Sequence, residues 1–85
     1  MSESASQRSA RYVELTSDSL RRLRLKKLPA TVPDEQVHYV LDLAKGYLKD
    51  ARHYAKSDKA VTSLACVSYA EGLLDALRFL ELAEF

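Results

Sequence analysis

Eighty-five residues, 47% of them apolar, with a formal net charge of +1, two prolines, two glycines and one cysteine, describe one small domain. A chain this short buries only about 60–65% of its unfolded surface, so it must use nearly every apolar residue or share a surface with a partner. The composition excludes a disordered chain, the near-neutral charge argues against strong non-specific nucleic-acid binding, and Cys66 alone excludes an internal disulfide, which fits a reducing compartment.

The N-terminal stretch MSESASQRSAR has no apolar run of the kind a signal peptide needs. The serine-rich residues 1–8 are expected to fray. A first helix is predicted over about residues 10–26, where Tyr12, Leu15, Leu20 and Leu23 share one broad face. It ends in RRLRLKK, five basic residues in seven. Pro29 and Pro33 then break the pattern, since each disfavours helical geometry before it.

A second helix is predicted over about residues 34–56. Pro33 suits its first turn, and Asp34 and Glu35 suit the positive end of its dipole. Val37, Val40, Leu41, Ala44, Leu48, Ala51 and Ala55 repeat at three and four residues as an amphipathic stripe, with Tyr47 and Tyr54 on its flank. KSDK forms the next turn, and Ser57 or Asp58 is the expected cap of a third helix over about residues 59–84. Short connections imply an all-α, three-helix antiparallel bundle running up-down-up, its second and third helices forming a long hairpin. The alternative architecture is a helical hairpin that dimerises, with the first helix packed across it.

Between Ala60 and Leu80 the only charged residues are Glu71, Asp75 and Arg78, gathered on one narrow face. With Glu81 they keep the stretch short of the about 18 uninterrupted apolar residues that would span a membrane. The expectation is therefore a cytoplasmic protein with no membrane association. A helix this apolar is either the most central of the three or meets another molecule. Ala65, Ser68, Gly72 and Ala76 form a row of small side chains that lets a neighbour come close. Tyr47 or Tyr54 is the natural intramolecular occupant, in which case Gly72→Leu would overpack the fold. Tyr69, Gly72, Leu73, Asp75, Ala76 and Phe79 make up the candidate interaction or packing motif. Asp75 reads as a partner of Arg78 at i+3 or as an acceptor for a tyrosine hydroxyl, not as a catalytic acid.

The stretch YAEGLLDALRFLEL (Tyr69–Leu82) resembles the signature of an archaeal family known as domain of unknown function 357. That family typically reads tyrosine, alanine, histidine, glycine, tryptophan, leucine, aspartate, alanine; Tyr69, Ala70, Gly72, Leu74, Asp75 and Ala76 match. Glu71 replaces the histidine and Leu73 the tryptophan, and the glycine expected after the aspartate–alanine pair is absent. RYVELTSDSL (Arg11–Leu20) is similar to the family's first helix. LAKGYLKDARHYAKSDKAVTSLACVSYA (Leu43–Ala70) is similar to its second helix, turn and third helix. The resemblance implies a small up-down-up helical bundle and brings no activity with it; no role resting on the histidine carries over.

The remaining constellations are weak. Arg21, Arg22, Arg24, Lys26 and Lys27 form a candidate anion-binding patch, but no aromatic residue among them offers a stacking platform. His38 with Asp42 and His53 with Asp50 each supply two possible ligands, short of the three or four a zinc site takes. Cys66 reads as a small core residue. No cofactor or metal is expected and no catalytic set can be assembled. The leading function is a non-enzymatic interaction or self-association module working through the third helix, with a protein or a second copy as partner. The alternative is weak RNA or anion binding at Arg21–Lys27. Charge supports association of unlike halves. Residues 1–33 carry seven basic and three acidic side chains, a net +4, and residues 34–85 carry six and nine, a net −3.

Overall fold

Ser4 starts the first helix well before its apolar pattern begins. Its hydroxyl accepts from the Gln7 backbone N–H at 3.1 Å, and the Gln7 side chain accepts from the Ser4 N–H at 2.9 Å, a complete capping box. Glu3 then bonds Arg8 and Arg11, so the segment expected to fray is tied into helix. The computed structural model describes residues 2–85; of the stretch expected to fray, Met1 lies outside the described residues. Its elements are α1 (Ala5–Arg22), β1 (Arg24–Leu25), α2 (Asp34–Lys56), α3 (Ala60–Phe79) and β2 (Ala83–Glu84).

The three helices form the expected up-down-up bundle. Helix α3 is its centre: it packs extensively on both α2 and α1, which touch each other much less. The shape is long and flat, 47 × 23 × 16 Å, little thicker than one helix with its side chains. By length and composition α3, at a mean hydropathy of 1.2, is apolar enough to cross a membrane. Here two of its sides are instead covered by α1 and α2.

Helix α2 has the expected bounds and buries Val37, Leu41, Ala44, Leu48 and Ala51; Ala55, assigned to the same stripe, is exposed. These residues meet Val67, Ala70, Leu74 and Leu77 of α3 in two apolar clusters. Alanines at Ala44, Ala51 and Ala70 are at most 1% exposed, so the two backbones run close together. Helix α1 differs from expectation. Leu15 points outward, 54% exposed, and the face turned inward carries Ser9, Tyr12, Thr16 and Leu20.

That polar inward face has a specific partner. The Ser63 hydroxyl of α3 donates to the Ala51 carbonyl of α2 at 2.6 Å, which uses its one proton. Ser9 of α1, 2.5 Å from Ser63, must therefore be the donor in their pair. One buried relay thus joins all three helices.

Two helix ends are closed by left-handed residues. Helix α2 closes through Asp58 at φ 59°, with the Lys59 N–H donating to the Tyr54 carbonyl at 2.9 Å. Asp58 is thus the end of α2, and neither it nor Ser57 caps α3, whose N-cap is Lys59. Helix α3 closes through Glu81 at φ 61°, with the Leu82 N–H donating to the Leu77 carbonyl at 2.9 Å and the Glu81 N–H to Arg78. The third helix therefore ends at Phe79, not near Glu84. The chain turns back so that Ala83 and Glu84 pair antiparallel with Leu25 and Arg24. The first helix correspondingly ends at Arg22, and Arg24 lies in this strand pair.

Two predictions follow from these contacts. Ser63→Ala removes the acceptor of a hydroxyl that is 1% exposed, and should cost about 1–3 kcal/mol in denaturant unfolding. The Ser9→Ala/Ser63→Ala double variant should lose less than the two single losses combined. Separately, the Arg11 guanidinium, helped by Arg8, pulls the Glu3 carboxyl from its ordinary 4.5 down to about 2. A depressed carboxyl stabilises the fold above its unfolded value, and that contribution is lost as pH falls from about 4.5 through about 2. Carboxyl NMR titration should find Glu3 at the low value in the wild type and shifted up toward its ordinary 4.5 in Arg11→Gln, where Arg8 alone remains beside it.

Candidate functional site

The third side of α3 faces solvent. Val61, Ala65, Ser68, Gly72, Ala76 and Phe79 recur at three and four residues along it and are all exposed. Val61 and Phe79, at the two ends, are each 73% exposed, and Leu80 beside Phe79 is 68% exposed. The small-residue row thus forms the outer surface of the molecule, with large apolar side chains at both ends.

This corrects the intramolecular reading of Gly72. A Cβ built there meets nothing within 4 Å, so neither Tyr47 nor Tyr54 fills the row. Tyr47 instead stacks on Tyr69, ring centroids 4.4 Å apart, on the α2 side of the row. Gly46 on α2 is equally free, but its exposed neighbours Asp42, Lys45, Lys49 and Asp50 are charged. Gly72 is the glycine with an apolar exposed row around it.

Asp75 is half-buried on the other flank and bonds Arg78 at 3.1 Å, the i, i+3 pairing. Arg78 also lies 4.5 Å over the Phe85 ring. Between α1 and α3, Tyr12, Thr16 and Ser19 face Glu71 and Asp75 across a groove of about 150 Å³. A shallower hollow beside it reaches Ser68 and Gly72. The sequence pattern alone does not single out Thr16. Its signal, a threonine in register with Ser9, Tyr12 and Leu20, is indistinguishable from a solvated one until α3 is in place.

The basic stretch does not act as one patch. Asp18 takes both Arg21 and Arg22, the latter at 3.0 Å, and the Arg21 hydrogen bond holds the Asp18 carboxyl below its ordinary range. Arg24 stands opposite Glu84 in the strand pair. Lys26 and Lys27 are exposed and have no ion-pair partner among the described residues. His38 turns back to Asp34, 3.4 Å away, and not to Asp42. No cluster of three metal-ligating side chains occurs among the described residues. Burial pushes the Cys66 thiol up, so little of it is thiolate at neutral pH.

The profile of a family described as "Protein of unknown function (DUF357)" matches residues 11–83. The chain belongs to this family. No curated protein and no solved structure gives a significant match. In this DUF357 chain the residues that carry the likeness divide between three surroundings. Ala70 and Leu74 are buried against α2, while Tyr69, Gly72 and Ala76 face outward. Asp75 lines the groove, and Leu73, at the family's tryptophan position, is half-buried against the core. The family motif therefore describes an outer surface as much as a core.

With free space at Gly72, Ala there should raise the stability of the folded chain by about 0.5–1 kcal/mol through helix propensity. Thermal unfolding of Gly72→Ala at low protein concentration checks this; a loss of stability would mean that the glycine serves an internal contact.

Proposed function

We propose that this chain is a non-enzymatic helical association module that pairs with a second copy of itself through the outward face of α3. The observation that carries the reading is the exposed glycine in mid-helix, set in a row whose spacing is self-complementary. An antiparallel copy centred near Ala70 places Val61 against Phe79, Ala65 against Ala76 and Ser68 against Gly72. Large side chains then cover the ends of the contact while small ones let the two backbones approach in the middle. Such a contact uses the same patch twice, which is the two-fold arrangement most homodimers adopt.

The energetics favour the same reading. A helix-interior glycine costs about 0.5–1 kcal/mol relative to alanine, and no intramolecular neighbour accounts for it. Val61 and Phe79 of α3 and Leu80 at its C-cap, each more than two-thirds exposed, add apolar surface that association would remove from water. A non-enzymatic role is supported by the engagement of Asp75 with Arg78 and by the raised thiol of Cys66. A cytoplasmic setting belongs to this proposal, with α3 working as a protein contact and not as a membrane span. Anion binding at Arg21–Lys27 is the weaker reading, because Asp18 and Glu84 already face three of its five cations.

Sedimentation equilibrium from micromolar to millimolar concentration tests the proposal. The wild type should pass from monomer to dimer. Gly72→Leu and Phe79→Glu should each shift that transition at least tenfold upward while keeping wild-type helicity, and the Gly72→Leu monomer should unfold no more easily than the wild type. A wild type that remains monomeric throughout, or a dimer indifferent to both substitutions, overturns it.

A further inference from the structure

The groove between α1 and α3 holds an unpaired group. Thr16 is 3% exposed, lines the groove, and its Oγ1 has no hydrogen-bond partner among the described residues. Buried hydroxyls are ordinarily paired, and leaving one unpaired is costly. The groove that Thr16 lines is partly open to solvent, so a group entering it can reach the hydroxyl once the Thr16 side chain turns toward it.

The other groups around Thr16 define that partner. Glu71 is exposed and has no ion-pair partner among the described residues, and Asp75 lies one helical turn further along the same side of α3. Carboxylates only accept hydrogen bonds, and the Tyr12 and Ser19 hydroxyls across the groove can accept as well. The one cation present, Arg78, is drawn to Asp75 and to the Phe85 ring. Acceptors and negative charge therefore dominate the end near Glu71. The apolar part of the lining is made by Leu15, Leu74 and Phe85. The volume of about 150 Å³ is well under the ~300–1,000 Å³ of drug-sized sites, so the ligand is no larger than one extended side chain.

We propose that the α1–α3 groove binds a small aliphatic primary ammonium, with its three N–H donors shared among Glu71, Asp75 and Thr16 and its hydrocarbon stem against Leu15, Leu74 and Phe85. A free alkylamine and the side chain of a lysine present the same chemistry. The ligating groups, Glu71 and Asp75 of α3 and Thr16 of α1, are not members of the outward row, although Glu71 lies beside Gly72 at the edge of the groove.

NMR titration of the full chain with butylammonium, 1,4-diaminobutane and Nα-acetyl-lysine amide tests the proposal and distinguishes the sources. Titrations are run on the wild type and on Phe79→Glu, so that loss of self-association and loss of ligand binding are read separately. The expected result is a saturable shift confined to Tyr12, Thr16, Glu71, Asp75 and their neighbours with at least one of the three probes. Glu71→Gln and Thr16→Val should each weaken that binding about tenfold, and tetramethylammonium, which has no N–H donor, should not compete. Thr16→Val should also unfold no more easily than wild type in the absence of ligand, because it removes an unpaired hydroxyl. Shifts that fail to saturate, binding indifferent to Glu71→Gln, or a Thr16→Val chain that is clearly less stable would each overturn the proposal.

Discussion

The bundle depends on one buried polar relay. The hydrophobic effect is non-directional and does not by itself fix which residues of two helices meet. The run from Ser9 to Ser63 to the Ala51 carbonyl removes that freedom. Each hydroxyl has one proton to give, and each is under 2% exposed, so a shift of any helix by one turn would bury unpaired oxygens. With α3 held in this register, Val67, Ala70, Leu74 and Leu77 face the core and Val61, Gly72 and Phe79 must face out. The exposed row on α3 is thus a consequence of the relay.

Size explains why so much apolar surface remains outside. Several of the buried apolar positions are alanines, and the molecule is barely thicker than one helix. Two helices can cover only two sides of a third. The strand pair at the open end adds Leu82 and Ala83 to the larger cluster by folding the C-terminal residues back over Leu23, Leu25 and Leu28. That covers the end of α3 and leaves its third side bare. Charges do not compensate: the ion pairs of Glu3, Asp18 and Asp75 are local and lie at the surface, where such pairs contribute little.

Legibility in the sequence follows the same physics. Helix α2 can be read to the residue, because one apolar stripe on an otherwise polar helix has a clear period and Pro33 marks its start. Helix α1 misleads, since its inward face carries Ser9 and Thr16 where a stripe of leucines is sought, and Leu15 marks the wrong side. The end of α3 is hidden because Glu81 takes the left-handed position usually given to glycine. A two-residue strand pair has no period to detect. For the candidate sites, the small row around Gly72 is visible in the sequence, but its direction is not. On a helix apolar nearly all round, no polar face shows which side is water. The unpaired hydroxyl of Thr16 is a property of the assembled groove and has no counterpart in the one-dimensional pattern.

The outward row and the groove meet at Ser68 and Gly72, which line the hollow next to Glu71. The absence of a side chain at Gly72 therefore has two effects at once. It lowers the surface where the proposed pairing would bring another helix, and it leaves the hollow beside Glu71 open on that side. A larger residue at this position would fill both. One glycine in mid-helix, unnecessary for packing inside the chain, is economical when two surfaces share it, and this gives the glycine–x–x–aspartate spacing of Gly72 and Asp75 a physical reason. The glycine clears the outer face, and the aspartate three residues on sits at the groove's edge, where Arg78 balances its charge without filling the space beside Thr16.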